Sequence, residues 1–204
     1  MSIALKQEQA YPNPLTEKRQ FTYADYLRWS PDIRAEIIYG VAYMMSAPST
    51  SHQRISMRLS QIFANFLEGR TCQVFAAPFS VRLFPKGDNS DDTVVEPDIV
   101  VICEPAKIDE HGCNGAPDLV IEILSPSTRR KDRTLKRELY QRAKVREYWI
   151  VSPDHNEIEV HLFESGKLKI YGVNEPDTPE DSIIPEIAPV AVLPGLEIDV
   201  KTIF

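Results

Sequence analysis

Apolar residues recur along this chain in two rhythms. Ile55, Leu59, Ile62, Phe63, Phe66 and Leu67 are spaced three and four apart, the one-sided stripe of an amphipathic helix. Ser49, Thr50 or Ser51 can cap its start, and Gly69 stands where it would stop. A shorter helix is expected from a Thr22 cap through about Ser30, with Tyr23, Tyr26 and Leu27 on one face. A third covers about 132–143, turning Leu135, Leu139, Tyr140 and Ala143 inward. Elsewhere the rhythm is that of strands. EIIYGVAYMMS (36–46) reads as two strands hinged at Gly40, and QVFAAPFSVRLF (73–84) leads into the polar loop 86–92. VVEPDIVVIC (94–103), PDLVIEIL (117–124) and REYWIVS (146–152) are nearly continuous apolar runs, as suits strands buried on both faces. A loop with Gly112 and Gly115 separates the first two. Residues 157–173 alternate and turn at Ser165-Gly166, a hairpin. The segment 174–189, rich in Pro, Asp and Glu, reads as a loop, and 190–204 as one or two edge strands. The order predicts an α/β (α+β) fold with a mixed sheet flanked by helices.

Composition adds limits to this picture. The 204 residues suit one domain, 21–204, preceded by a polar arm over 1–20 that contains Pro12 and Pro14. With 43% hydrophobic and 26% charged residues the balance is that of a globular protein. No apolar run approaches the roughly 18 residues of a membrane span, and the first twenty residues lack the pattern of a signal peptide. A cytoplasmic protein is expected. Three cysteines, Cys72, Cys103 and Cys113, then read as buried or idle thiols, since an odd count without a paired framework suits a reducing compartment and their spacing matches no zinc site.

The net charge of −7 argues against a protein that coats nucleic acid without specificity. Its distribution is uneven. Between Arg129 and Arg146 stand nine basic and two acidic residues, so this segment is +7 and the remainder −14. Such a patch is either a docking surface for a polyanion or a solvated helix face.

Few polar residues interrupt the buried strands. Asp98 follows Pro97 inside VVEPDIVVIC, and Glu122 stands in the middle of DLVIEIL. An unpaired carboxylate in an apolar run costs several kcal/mol to bury. Either basic partners compensate these two acids, or neighbouring strands bring them to one hard cation.

EPDIVVI, then PDLVIEILSPST, then KRELYQRAKVREYWIVSP together resemble the Uma-two (Uma2) family of restriction-endonuclease-like proteins, and through it the PD-(D/E)XK nuclease superfamily. The likeness covers about 21–204 and implies a restriction-endonuclease-like core. It implies a Mg²⁺ or Mn²⁺ held by Asp98, Glu122 and the backbone carbonyl of Ile123, with Glu36 completing the shell. The superfamily's lysine would fall at position 124, which is a leucine here. In the resembling family the following helix supplies it, and the counterpart is Lys136, four residues before Tyr140 and therefore on the same helix side. His52, at the start of the long helix, matches a family histidine and would bind phosphate or shuttle a proton. Lys144, where the family commonly has glycine, departs from the pattern and implies a changed helix end. Arg129, Arg130 and Arg133 are then candidates to grip flanking phosphates. By resemblance the substrate is DNA and the assembly a homodimer. The rival reading is a non-catalytic nucleic-acid- or protein-binding module that keeps the fold, supported by Leu124 and the acidic net charge. A glycosidase built on paired carboxylates fits poorly with acids on apolar strands.

Overall fold

A computed structural model of the protein describes residues 20–30 and 32–204. Apart from Gln20, the expected N-terminal arm lies outside the described residues. Helix α1 (Tyr23–Tyr26) starts at a capping box in which Asp25 Oδ2 accepts the Thr22 backbone N–H at 3.0 Å. It stops short of the expected Ser30, because the coming Pro31 disfavours helical backbone before it. Strands β1 (Ala35–Ile38) and β2 (Val41–Met44) form a hairpin whose two turn residues, Tyr39 and Gly40, have φ of 51° and 79°. Both positive angles are what a tight two-residue hairpin turn demands. Helix α2 (Thr50–Leu67) is capped by Ser49, whose Oγ accepts the His52 N–H.

Two apolar runs that read as single strands are each divided. Residues 73–84 become β3 (Gln73–Ala76) and β4 (Val81–Arg82), with the cis Ala77-Pro78 bond between them. Residues 94–103 become β5 (Val94–Val95) and β6 (Ile99–Ile102), parted at Glu96-Pro97-Asp98. Proline cannot donate a ladder hydrogen bond, so each run breaks there and its halves join different sheets. After β7 (Ile108–Asp109) and β8 (Gly112–Asn114) comes β9 (Leu119–Ile123). The next helix is continuous over 129–142: α3 (Arg129–Lys131), a π-helical turn (Asp132–Lys136) and α4 (Arg137–Arg142). Strands β10 (Glu147–Ser152), β11 (Glu157–Leu162) and β12 (Lys167–Gly172) follow. A small ribbon of β13 (Ile187–Pro189) and β14 (Glu197–Asp199) lies near the end. Part of the expected 174–189 loop is therefore strand.

The mixed α+β architecture holds, but the strands are shared between two six-stranded sheets. One has the order β2-β1-β5-β4-β8-β7 and the other β12-β11-β10-β9-β6-β3. In the second sheet β9 and β10 are parallel, and the 129–142 helix makes the crossover between them. That sheet is covered on both faces. Ile99, Val101, Leu119 and Ile121 share a core with Ile55, Leu59 and Phe63 of α2, while Val100, Ile102, Val120 and Ile150 share another with Leu139 and Tyr140. Period-two alternation thus sends Glu122 toward the 129–142 helix.

The expectation of idle thiols is corrected in one respect. Cys72 and Cys103, which flank the paired β3–β6 ladder, form a disulfide, because antiparallel pairing of Gln73 with Ile102 brings them side by side. Cys113 is free and buried. No helix among the described residues is long and apolar enough to cross a membrane.

Candidate active site

The site lies where the two sheets meet. The register that pairs Ile99 with Ile121 continues to place Asp98 opposite Glu122. Asp98 Oδ2 accepts the Ile123 backbone N–H at 2.7 Å and approaches His52 Nε2 at 3.1 Å. Asp98 is thereby anchored to β9 and to the start of α2. Glu122 is 4% exposed, and its Oε1 accepts from Lys136 Nζ at 2.7 Å and from the Tyr140 hydroxyl at 2.6 Å. The four-residue spacing places both donors on one helix side.

Lys136 also lies 2.6 Å from Glu36 Oε1 and 3.9 Å from Asp132 Oδ1. Glu36 is held further by Lys131 Nζ on Oε2, at 3.0 Å, and by the Glu96 backbone N–H on Oε1. Asp132 and Lys136 both point inward from the π-helical turn, a local widening often found at functional sites. Above the acids opens a cleft of about 430 Å³, lined by Arg34, Glu36, His52, Asp98, Glu122 and Lys136 among others.

These contacts unbalance the charge. Three fully buried acids, Glu36, Glu122 and Asp132, share one fully buried ammonium, with Lys131 at the edge. Burial pushes the Glu122 carboxyl up to about 8, and Asp132, Asp98 and Glu36 add to the rise against the pull of Lys136. Burial also raises Asp132. For Glu36, burial acts upward, but Lys136 and Lys131 outweigh it and hold the carboxyl below its usual value. Burial alone would lower the Lys136 ammonium, yet Glu122 and Glu36 raise it well above its usual value. Lys136 is therefore a charged donor at neutral pH, while burial and the crowding raise both Glu122 and Asp132.

The chain matches, over residues 23–200, the Uma2 family, described as "Putative restriction endonuclease". The chain belongs to this family. A Synechocystis relative, "Uncharacterized protein slr1290", is 31% identical over 140 residues, covering 67% of this chain and 71% of the relative. A solved structure with the same fold, "a putative nuclease belonging to DUF820 from Anabaena variabilis", is 22% identical. It superimposes with a TM-score of 0.65 over 90% of this chain and 97% of that one.

In this Uma2 protein the residues singled out from sequence fall into two groups. Asp98, Glu122, Lys136, Glu36 and His52 converge on the cleft. Leu124, at the superfamily's lysine position, is buried among Tyr140, Val145 and Ile150, while Lys136 arrives at Glu122 from the helix. Glu36, expected in a metal shell, has both oxygens engaged by Lys136, Lys131 and the Glu96 N–H. The three arginines do not line the cleft. Arg129 pairs with Asp154 and Arg133 with Glu159, so both are directed to acids of the β10–β11 hairpin, the first in its turn and the second on β11. Arg130 is exposed on a neighbouring groove. Lys144, the other departure, has φ of 66°, the conformation a glycine takes at a helix end.

Sequence reasoning missed Arg34, Lys131, Asp132 and Glu96. Lys131 and Asp132 were hidden in the basic run, although Asp132 and Lys136 are four apart on one helix. Arg34 pairs with Glu96 at 3.2 Å at the cleft mouth, and Glu96 also accepts from the Tyr26 hydroxyl at 2.7 Å. Neither carried a signal in an isolated sequence.

Among the described residues, no three His, Cys, Asp or Glu side chains come together as a metal-holding group. A hard cation of the Mg²⁺ type needs less, usually one or two carboxylates with waters and substrate oxygens. Asp98 and Glu122 each keep one carboxylate oxygen that takes no hydrogen bond among the described residues. An excess of buried negative charge around them fits a cation.

Proposed function

We propose that this Uma2 protein is a metal-dependent phosphodiesterase that hydrolyses nucleic acid, with DNA as substrate. The observation that carries the reading is the placement of Asp98 opposite Glu122 at the base of a cleft, with Lys136 clamped between Glu122 and Glu36. An isolated structural salt bridge would need one acid per lysine, whereas here the acids exceed the buried cation.

Asp98, Glu122 and the Ile123 carbonyl are the candidates to hold Mg²⁺ or Mn²⁺, which would supply Lewis-acid polarisation of the phosphate and a more acidic bound water. Lys136 stays protonated through Glu36 and Glu122, so it orients the attacking water and stabilises charge on the phosphate rather than taking a proton. Glu36 positions Lys136. His52 fixes the Asp98 carboxylate through Nε2, and its other ring nitrogen, buried without a hydrogen-bond partner, faces no competing acceptor. Arg34 and Lys131 flank the cleft as cations for substrate phosphate.

The test is thermal melting of wild type, Asp98→Asn and Glu122→Gln, each with EDTA and with Mn²⁺, alongside nicking of supercoiled DNA. A Mn²⁺-dependent rise in melting temperature and nicking by wild type alone are expected. Wild type that neither melts higher with Mn²⁺ nor cuts would overturn the reading in favour of a binding module that keeps the fold. The leucine at position 124 is the observation that favours that second reading.

A further inference from the structure

The hairpin β1–β2 runs beside the 129–142 helix, and the groove between them is lined by Tyr43 and Met44 from one wall and by Arg130 and Lys131 from the other. Lys131 Nζ lies over the Tyr43 ring at 5.3 Å from its centroid. Arg142 lies over the Tyr39 ring at 5.2 Å and donates to its hydroxyl at 2.8 Å. Around the Lys131–Tyr43 pair the groove is lined by Met44, Arg130, Thr134 and Leu135, and the Arg142–Tyr39 pair stands farther along the same helix and hairpin.

The groove is continuous with the acid cleft, since Met44, Ser127 and Lys131 line both. From position 131 to position 142 the helix advances roughly 16 Å at 1.5 Å per residue. The surface is also apolar where a solvated face would be polar: Met44 is 59% exposed, Val41 53% and Tyr39 36%. Arg130, unlike Arg129 and Arg133, has no ion-pair partner among the described residues.

Alternating π-faces and cations are the chemistry that holds a single nucleic-acid strand. Bases stack on the rings, phosphates meet the cations, and no base-edge pairing is needed. A paired duplex keeps its base faces covered and offers nothing to Tyr39, Tyr43 or Met44. Five of the segment's nine cations, Arg129, Lys131, Arg133, Lys136 and Arg146, are paired with acids in the fold, which leaves Arg130 and Arg142 on this side to attract a polyanion. We infer that this groove is a track for an unpaired strand, and that the site's substrate class is single-stranded nucleic acid, or duplex that carries an unpaired arm, entering along β2. The inference rests on the nuclease reading, which it sharpens.

Fluorescence polarisation in EDTA tests the track without cleavage. The probes are a fluorescein-labelled single-stranded 12-mer, the same strand with its four central nucleotides abasic, and the blunt duplex. Wild type is expected to bind the intact strand about tenfold more tightly than either the abasic strand or the duplex. Tyr39→Leu combined with Arg142→Gln, both outside the acid cleft, should abolish the preference for the intact over the abasic strand. The abasic comparison uses wild type alone, so it stands whether or not the double variant folds. Equal or tighter binding of the duplex, or indifference of wild type to the missing bases, would overturn the track. The Mn²⁺-dependent melting shift, read on the same protein, separates the outcomes: its presence with no strand preference leaves the nuclease reading and removes the track. Its absence with a strong strand preference does the reverse.

Discussion

Lys136 and Tyr140 meet on one oxygen of Glu122, the ammonium at 2.7 Å and the phenol at 2.6 Å. Both donors hold the same side of the carboxylate, so its other oxygen is oriented without being occupied. Tyr140 packs against Tyr148 with ring centroids 5.0 Å apart, which keeps the hydroxyl in place. Tyr140→Phe preserves that packing and removes only the hydrogen bond. A loss of about 1–3 kcal/mol in urea denaturation is expected, as for a bond to a charged or partly charged group. The Mn²⁺ response should shrink but persist, because Lys136 still holds the oxygen. An unchanged stability would mean that the hydroxyl contributes nothing to positioning Glu122.

Lys136→Met leaves Glu36, Glu122 and Asp132 without their buried ammonium. Breaking a buried ion network by removing one partner costs about 3–5 kcal/mol. The loss should be largest near pH 8 and smaller near pH 5, where the stranded carboxyls can take up protons. Urea denaturation at the two pH values measures the difference, and equal losses would count against a charge origin.

Metal-free wild type should lose stability between about pH 4.5 and 8 on account of Glu122. Burial, with Asp132, Asp98 and Glu36 adding to it, pushes its folded carboxyl from the ordinary 4.5 up to about 8. Below pH 4.5 both states bind the proton and no penalty applies. As pH rises the unfolded chain ionises first, so it gains relative to the folded state until the folded carboxyl ionises too. Glu36, held below its ordinary value, acts in the opposite sense and only at pH below 4.5. Glu122→Gln should therefore flatten the melting-temperature profile across this window in EDTA. A profile identical to wild type would place the proton elsewhere.

Reduction of the Cys72–Cys103 bridge opens a loop of 31 residues. Loop-closure entropy of that size corresponds to about 2–4 kcal/mol. Denaturation with and without dithiothreitol, compared with Cys72→Ser, should show this loss. The Mn²⁺ response should remain, since the bridge lies at the far end of β6 from Asp98. An unaffected stability would indicate that the bridge constrains little.

Much of this was legible in the sequence. The stripe from Ile55 to Leu67 gave α2, and the run DLVIEIL gave β9 with its one anomalous acid. A spacing of four placed Lys136 and Tyr140 on one side of their helix. What remained hidden was set by tertiary pairing. The runs 73–84 and 94–103 read as single strands because apolar composition does not reveal where a chain changes sheets, although Pro78 and Pro97 marked both places. The Cys72–Cys103 bridge depended on the register of β3 against β6, which no local pattern specifies. Arg129 and Arg133 read as phosphate ligands because net charge alone does not say which acids, here Asp154 and Glu159, a folded chain sets beside them.

The break at Pro97 has a consequence for when the chemistry can begin. Asp98 stands immediately before β6, where the chain passes from the first sheet into the second, and it is fixed by a backbone N–H of β9 and a ring at the start of α2. Its partners come from segments 25 residues ahead and 46 behind in the sequence. Glu36 and Lys136 are farther apart still. A growing chain on the ribosome carries Asp98 long before Ile123, Glu122 or Lys136 has emerged. The acids can therefore act together only once both sheets have closed on the helix, so an unfinished or unfolded copy does not assemble the cleft at all.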